Sequence, residues 1–135
     1  MVTLTVPALC GTMSHMETPK SSLGSIIDGF VVSFRNHDIG SCEPHIAEGF
    51  QWFNADGSLV LEGKESFLKG LEEFWKVNPD VVNASSICIE VGNLVAHTET
   101  FTGFSDGHTS ENMWVYEFQG MQIRKMYGFS VKTDG

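Results

Sequence analysis

Cysteine and positive charge are scarce in this chain, and each scarcity removes a class of protein. Three cysteines in 135 residues, Cys10, Cys42 and Cys88, are too few and too scattered for a disulfide framework, and they suit a reducing, cytoplasmic setting. None forms a CxxC pair or a Cys/His cluster with zinc-site spacing, so no metal site and no cofactor is expected. Eight basic residues face seventeen acidic ones, and the net charge of −9 would repel a nucleic-acid backbone or an anionic membrane surface. No apolar run approaches the roughly 20 residues of a membrane-spanning helix. The stretch from Val2 to Cys10 is mildly apolar, but it lacks a basic lead and is broken by Pro7, which argues against a secretory signal.

Bulky apolar material is plentiful. Ten phenylalanines and three tryptophans can line a core or a cavity, and the length is that of one domain. Residues 1–20 mix Thr, Pro, Gly, Ser and Met without a period and read as a loose arm; residues 21–131 read as one domain and 132–135 as a tail. Leu23, Ile26, Ile27, Phe30, Val31 and Phe34 recur at helical spacing, which predicts a helix to about Asn36 with Ser21 or Ser22 at its cap. After the Asp38-Ile39-Gly40 break, a short helix is expected around Pro44 to Glu48, then a strand from Phe50 to Asn54. Asp56-Gly57 predicts a hairpin turn into Leu59 to Leu61. Phe67, Leu68, Leu71, Phe74 and Trp75 restore the helical period from Lys64 to Val77, and Pro79 ends it. From Val82 the period is two, with strands expected at 82–91, 94–104, 111–118 and 122–131 joined by Gly-containing turns. Helices first and long strands afterwards define an α+β domain whose layers enclose a cavity.

Phe34-Arg35-Asn36-His37-Asp38, Glu48-Gly49-Phe50, Gly57, Gly63-Lys64-Glu65-Ser66-Phe67, Tyr116-Glu117-Phe118-Gln119-Gly120 and Ile123-Arg124 resemble the SnoaL-like polyketide cyclases and ketosteroid isomerases of the nuclear-transport-factor-2-like superfamily. The resemblance covers about residues 22–130. It implies three N-terminal helices packed in the concave face of a strongly curved mixed or antiparallel sheet, a cone-shaped α+β barrel that commonly pairs into homodimers through the sheet. Its motifs are diffuse, so fold follows more directly than activity. The isomerases' general base falls on Asn54, their oxyanion-donating tyrosine on Phe30 and its acidic partner near Trp114, and none of these can move a proton. The catalytic aspartate of the cyclases falls near Met113. Standard 3-oxosteroid isomerisation is therefore excluded.

In their place, the segment Leu94 to Phe101 carries His97 and Glu99 where the isomerases have apolar pocket walls. Two positions apart on a strand, they share one face with alpha carbons roughly 7 Å apart. A carboxylate beside an imidazole would raise the imidazole's pKa, and an apolar surround would raise the carboxylate's, both favouring acid–base catalysis near neutral pH. Alternation does not tell the two faces of a strand apart, so the pair faces either the cavity or solvent. The resemblance directs Trp114, Tyr116 and Tyr127 to the cavity, and Tyr127 shares a nominal strand face with Ile123 and Lys125. Phe30, Phe34 and Trp52 are further wall candidates. Asn54 either holds a ligand oxygen or serves the turn before Asp56-Gly57. Arg35 either reaches the cavity mouth or lies along the helix, and His108, beside Gly107, is a candidate through scytalone dehydratases or a solvated loop residue. Two functions follow: a cofactor-independent isomerase, cyclase or dehydratase acting by proton transfer on a polycyclic polyketide- or terpenoid-like molecule, or a non-catalytic ligand-binding or dimeric assembly module.

Overall fold

A computed structural model describes residues 23–134. The expected arm at residues 1–20 and the cap at Ser21 or Ser22 lie outside the described residues. The first helix, α1 (Leu23–Arg35), forms where the apolar spacing predicts it and buries Ile27 and Val31. Its amino end is capped from a distance: the Glu90 carboxylate accepts the N–H groups of Leu23 and Gly24 at 3.3 and 3.0 Å. Its carboxyl end closes in a Schellman arrangement. His37 takes the left-handed conformation (φ 55°), the Asp38 N–H bonds the Ser33 carbonyl and the His37 N–H bonds the Phe34 carbonyl. Glycine usually fills that position; here the His37 ring stacks on Trp75 at 4.8 Å, which offsets the strain.

Asp38 then caps α2 (Ile39–Cys42) through its carboxylate, which accepts from the Ser41 N–H. A 3-10 turn, Glu43–His45, follows with Pro44 in its first turn. The short helix expected at Pro44 to Glu48 thus sits earlier, because Ile46 is fully buried and already pairs with Ile123 in the sheet. That strand, β1 (Ile46–Asn54), turns at Asp56-Gly57 into β2 (Leu59–Glu62). Helix α3 (Lys64–Val77) precedes the meander of β3 (Val82–Val91), β4 (Leu94–Thr102), β5 (His108–Gln119) and β6 (Gln122–Asp134). The six strands form one mixed sheet in the order β2-β1-β6-β5-β4-β3, with β1 parallel to β6 and every other pair antiparallel.

The core lies where the helices meet the concave face, around Phe50, Ile27, Ile46, Ile123 and Val95. Full burial of each such side chain contributes about 1.5–3 kcal/mol. Of the sheet's register irregularities, two decide which residues of β3 and β6 look into it. β3 carries one extra residue between Ser85 and Cys88, and β6 carries one opposite Glu117 and Phe118, at Arg124. Each bulge shifts the inward alternation of its strand by one position. Of the described cysteines, Cys42 is free and buried.

Candidate active site

A cavity of about 260 Å³ lies between the helices and the concave sheet. Its helix wall comes from the repeating faces of α1 and α3: Phe30 and Phe34 from the first, Phe67, Leu71, Phe74 and Trp75 from the second. On the sheet side Trp52, Phe101 and Trp114 continue the apolar surface. The polar groups in this lining converge on β4 and β5 as His97, Glu99 and Tyr116. Strand alternation delivers the first two. Val95, His97 and Glu99 point inward at 0, 2 and 7% exposure while Leu94 stays exposed on the outer face.

Asn83 fixes Glu99. Its side-chain N–H₂ donates to the Glu99 carboxyl (Oε2) at 2.7 Å and to the Val31 carbonyl at 3.1 Å, which ties the group to α1. The other carboxyl oxygen, Oε1, is 4.0 Å from His97 Nε2, beyond a direct hydrogen bond. Burial pushes the Glu99 carboxyl up to about 7; the bond from Asn83, the nearby Trp114 N–H and the Arg35 charge restrain the rise. Glu99 is thus poised to hold or release its proton at neutral pH, with Oε2 anchored by Asn83.

His97 is fixed differently. The Ser85 hydroxyl donates to the Thr98 carbonyl at 3.2 Å, so its single proton is spent, and at 3.1 Å from His97 Nδ1 the same oxygen must accept. The proton therefore sits on Nδ1, and Nε2 accepts from the Tyr116 hydroxyl at 3.0 Å. The β3 bulge makes this possible. It brings Ser85 to the ring while Thr98 Oγ1 accepts the Ile87 N–H at 3.1 Å. Burial lowers the His97 pKa to about 4, the reverse of the rise expected from a carboxylate neighbour. Burial, then the charges of Glu99 and Cys42, hold the Tyr116 phenol well above its ordinary range. At neutral pH His97 is uncharged and the Glu99 carboxyl is about half ionised.

No family model and no curated protein matches the sequence. Solved structures do match the fold. An NTF2-like protein of unknown function from Cytophaga hutchinsonii is 14% identical, aligns 85% of this chain with 95% of its own and gives a TM-score of 0.68. A SnoaL-like protein of unknown function from Burkholderia thailandensis is 17% identical over 85% of this chain and 99% of that one, at 0.67. A putative ketosteroid isomerase from Kribbella flavida is 12% identical over 82% and 78%, at 0.69. The chain has the NTF2-like fold.

Within this NTF2-like cone the structure gathers Phe30, Phe34, Trp52, His97, Glu99, Trp114 and Tyr116 around the cavity. It places four other candidates elsewhere. Tyr127 lies on the outer face, stacked on Phe53 at 5.3 Å, because the bulge at Arg124 ends its alternation with Ile123, and Met126 faces inward instead. Asn54 is exposed at the end of β1 and donates across the hairpin to Ser58 Oγ at 3.1 Å, the turn role. Arg35 is exposed and donates to the Asn83 carbonyl at 2.9 Å, so it clips α1 to β3 rather than entering the cavity. His108 stacks on Phe104 and bonds Asp106 in the β4–β5 loop.

Asn83 and Ser85, which position the two central groups, do not emerge from the sequence. Both sit beside a bulge in a strand whose outer face, at Val82, Ile87, Ile89 and Val91, is the more apolar one, so hydrophobicity points the wrong way. Gly128 is a second hidden element: a Cβ there would lie 2.5 Å from the Trp114 ring. Gly128→Ala is expected to drive the Trp114 indole into the cavity, with a loss of about 1–3 kcal/mol in urea unfolding and weaker uptake of apolar probes.

Proposed function

We propose that this protein is a cofactor-independent enzyme that moves a proton on a compact, largely apolar carbonyl compound, by isomerisation, cyclisation or dehydration. One observation carries this reading: a buried carboxyl, raised to about 7, with one oxygen held by Asn83, in the wall of an apolar cavity. Glu99 Oε1 takes the proton from a carbon next to the substrate carbonyl and returns it at a second position. The enolate's charge is costly in a dry site unless it is hydrogen-bonded. His97, its Nε2 lone pair engaged by Tyr116, is a positioning residue that keeps the wall beside Glu99 polar and neutral. The names borne by solved structures of this fold, SnoaL-like and ketosteroid isomerase, support small-molecule proton chemistry. A cavity of about 260 Å³ suits about two or three fused rings.

The test is substrate-independent. Enolisable bicyclic ketones such as β-tetralone are incubated with the protein in deuterium oxide and α-hydrogen exchange is followed by NMR. Acceleration above the buffer rate supports the enzyme. Binding without acceleration supports the alternative, a non-catalytic binding module.

We further propose that two copies pair through the convex face. Leu59, Phe53, Tyr127, Val115, Ala96 and Ile89 are register neighbours in one apolar row across all six strands, and Val91, Phe129 and Val131 add to it at 67, 39 and 61% exposure. An apolar row with few charges suits a self-complementary contact. Light scattering is expected to give a dimer for the full chain and a monomer for the Ile89→Glu, Val131→Glu double variant. A monomeric parent chain contradicts the pairing.

A further inference from the structure

The cavity joins an aromatic lining to a carboxyl that no cation in its walls answers. Half of the lining residues are Phe, Trp or Tyr, and none is Lys or Arg. Glu99 sits in that wall, and two donors favour its ionised form: the Asn83 side chain at 2.7 Å and the Trp114 indole. Among the described residues its one neighbour at ion-pair distance is His97, 4.0 Å away, whose ring is neutral above about 4. Arg35 acts on the carboxyl from α1, but it is exposed and its guanidinium donates to the Asn83 carbonyl. When Glu99 loses its proton, a negative charge therefore stands in a dry, aromatic space with hydrogen bonds but no counter-charge within it. A buried charge is costly until a partner of opposite sign arrives.

We propose that the cavity binds a compact lipophilic tertiary amine in its protonated form, with its single N–H on the Glu99 carboxylate and its alkyl groups against the aromatic walls. The inference uses the cavity as a small-molecule site and holds whether or not a carbonyl compound is turned over there. Charge selects the cation. Aromatic rings attract an ammonium group, most strongly when it is desolvated, and the carboxylate completes an ion pair. The net charge of −9 raises the concentration of cations around the whole molecule. Scarcity of acceptors selects the substitution. The polar side chains of the lining are His97, Glu99 and Tyr116, and both ring nitrogens of His97 are engaged, by Ser85 and by Tyr116. A primary ammonium would leave at least one of its three N–H groups unpaired, whereas a tertiary one leaves none. When the ammonium arrives, a neutral Glu99 gives its proton to solvent; when the free base arrives, Glu99 hands that proton to the nitrogen. The bound pair is the same in both cases.

Two probes of one shape isolate the charge: N,N-dimethyl-2-aminotetralin and 2-isopropyltetralin, in which carbon replaces nitrogen. Binding to the full chain is followed by tryptophan fluorescence, since Trp52, Trp75 and Trp114 line the cavity. At about pH 8 the amine is expected to bind at least about tenfold more tightly than the hydrocarbon. Below about pH 7 its affinity is expected to fall about tenfold per pH unit, because a proton must then leave Glu99, while the hydrocarbon does not weaken. The other groups that face Glu99 do not titrate between about pH 5 and 8.5: His97 is neutral, burial holds the Tyr116 phenol and the Cys42 thiol above that range, and a guanidinium such as that of Arg35 does not deprotonate. The primary amine 2-aminotetralin is expected to bind about tenfold less tightly than its dimethyl form. In Glu99→Gln the amine and the hydrocarbon are expected to bind alike. An amine no tighter than the hydrocarbon at about pH 8, or binding of neither, overturns the proposal. So does a preference for the amine that survives in Glu99→Gln, which would place the cation on the acidic surface. Amine binding without α-hydrogen exchange of β-tetralone removes only the enzymatic reading, and exchange without amine binding removes only this one.

Discussion

Glu99→Gln is expected to slow α-hydrogen exchange of β-tetralone by on the order of a hundred- to ten-thousand-fold, the usual weight of a positioned general base. The amide keeps the size of the side chain and can still accept from Asn83, so the fold and the cavity survive. What is lost is the capacity of Oε1 to take a proton. With the parent chain, the exchange rate is expected to climb as the pH passes through about 7 and to level off above it, because the base is the ionised carboxyl. A carboxylate of ordinary pKa would give a flat profile over that range. His97→Gln is expected to cost less and to leave a pH dependence in place, since His97 Nε2 is occupied by Tyr116. A larger loss at His97 than at Glu99 would invert the assignment.

The second large effect is on stability and appears only when the pair is separated. Glu99 has its pKa raised from 4.5 to about 7, so its contribution to stability is full below about 4.5 and lost as the pH rises through about 7. His97 has its pKa lowered from 6.5 to about 4, so its contribution is full above about 6.5 and lost as the pH falls through about 4. Each shift corresponds to about 3 kcal/mol, of opposite sign across the shared window. In that window the folded chain holds a proton on Glu99 where the unfolded chain has released it, and lacks one on His97 where the unfolded chain has bound it. The slopes cancel. The parent chain is therefore expected to show nearly constant stability from about pH 4.5 to 6.5, measured by urea denaturation. Glu99→Gln should gain stability with rising pH over that range and His97→Gln should lose it, each by up to about 3 kcal/mol. Parallel slopes in the two variants would mean that the burial of one member is wrongly assigned.

The contrast between what the sequence reveals and what it hides follows from strand periodicity and its interruptions. Long, regular elements such as α1 and α3 stand where the spacing of Ile27, Val31, Phe67 and Trp75 places them, and β3 spans the residues that the change of period after Val82 marks out. His97 and Glu99 could be named because two ionisable residues at a period of two in one strand are conspicuous; which face they occupy came only from the resemblance to isomerase strands. Tyr127 was misplaced because one extra residue at Arg124 flips every later side chain of β6, and no local feature of Gln122-Ile123-Arg124-Lys125 announces it. Asn83 and Ser85 stayed hidden for the same reason in β3. Asn54 occupies a position that is catalytic in the isomerases, yet here it ends its strand at a hairpin and bonds Ser58. A matching position is not a matching environment.

Everything assigned to the site rests on one buried carboxyl that is neutral at mildly acidic pH and ionises near neutrality. The direct measurement is a carboxyl-carbon NMR titration of the full chain, with the Glu99 signal identified by its absence in Glu99→Gln. The account predicts a midpoint near pH 7 for that signal. A midpoint in the ordinary range, near the 4.5 of a solvated glutamate, would contradict it.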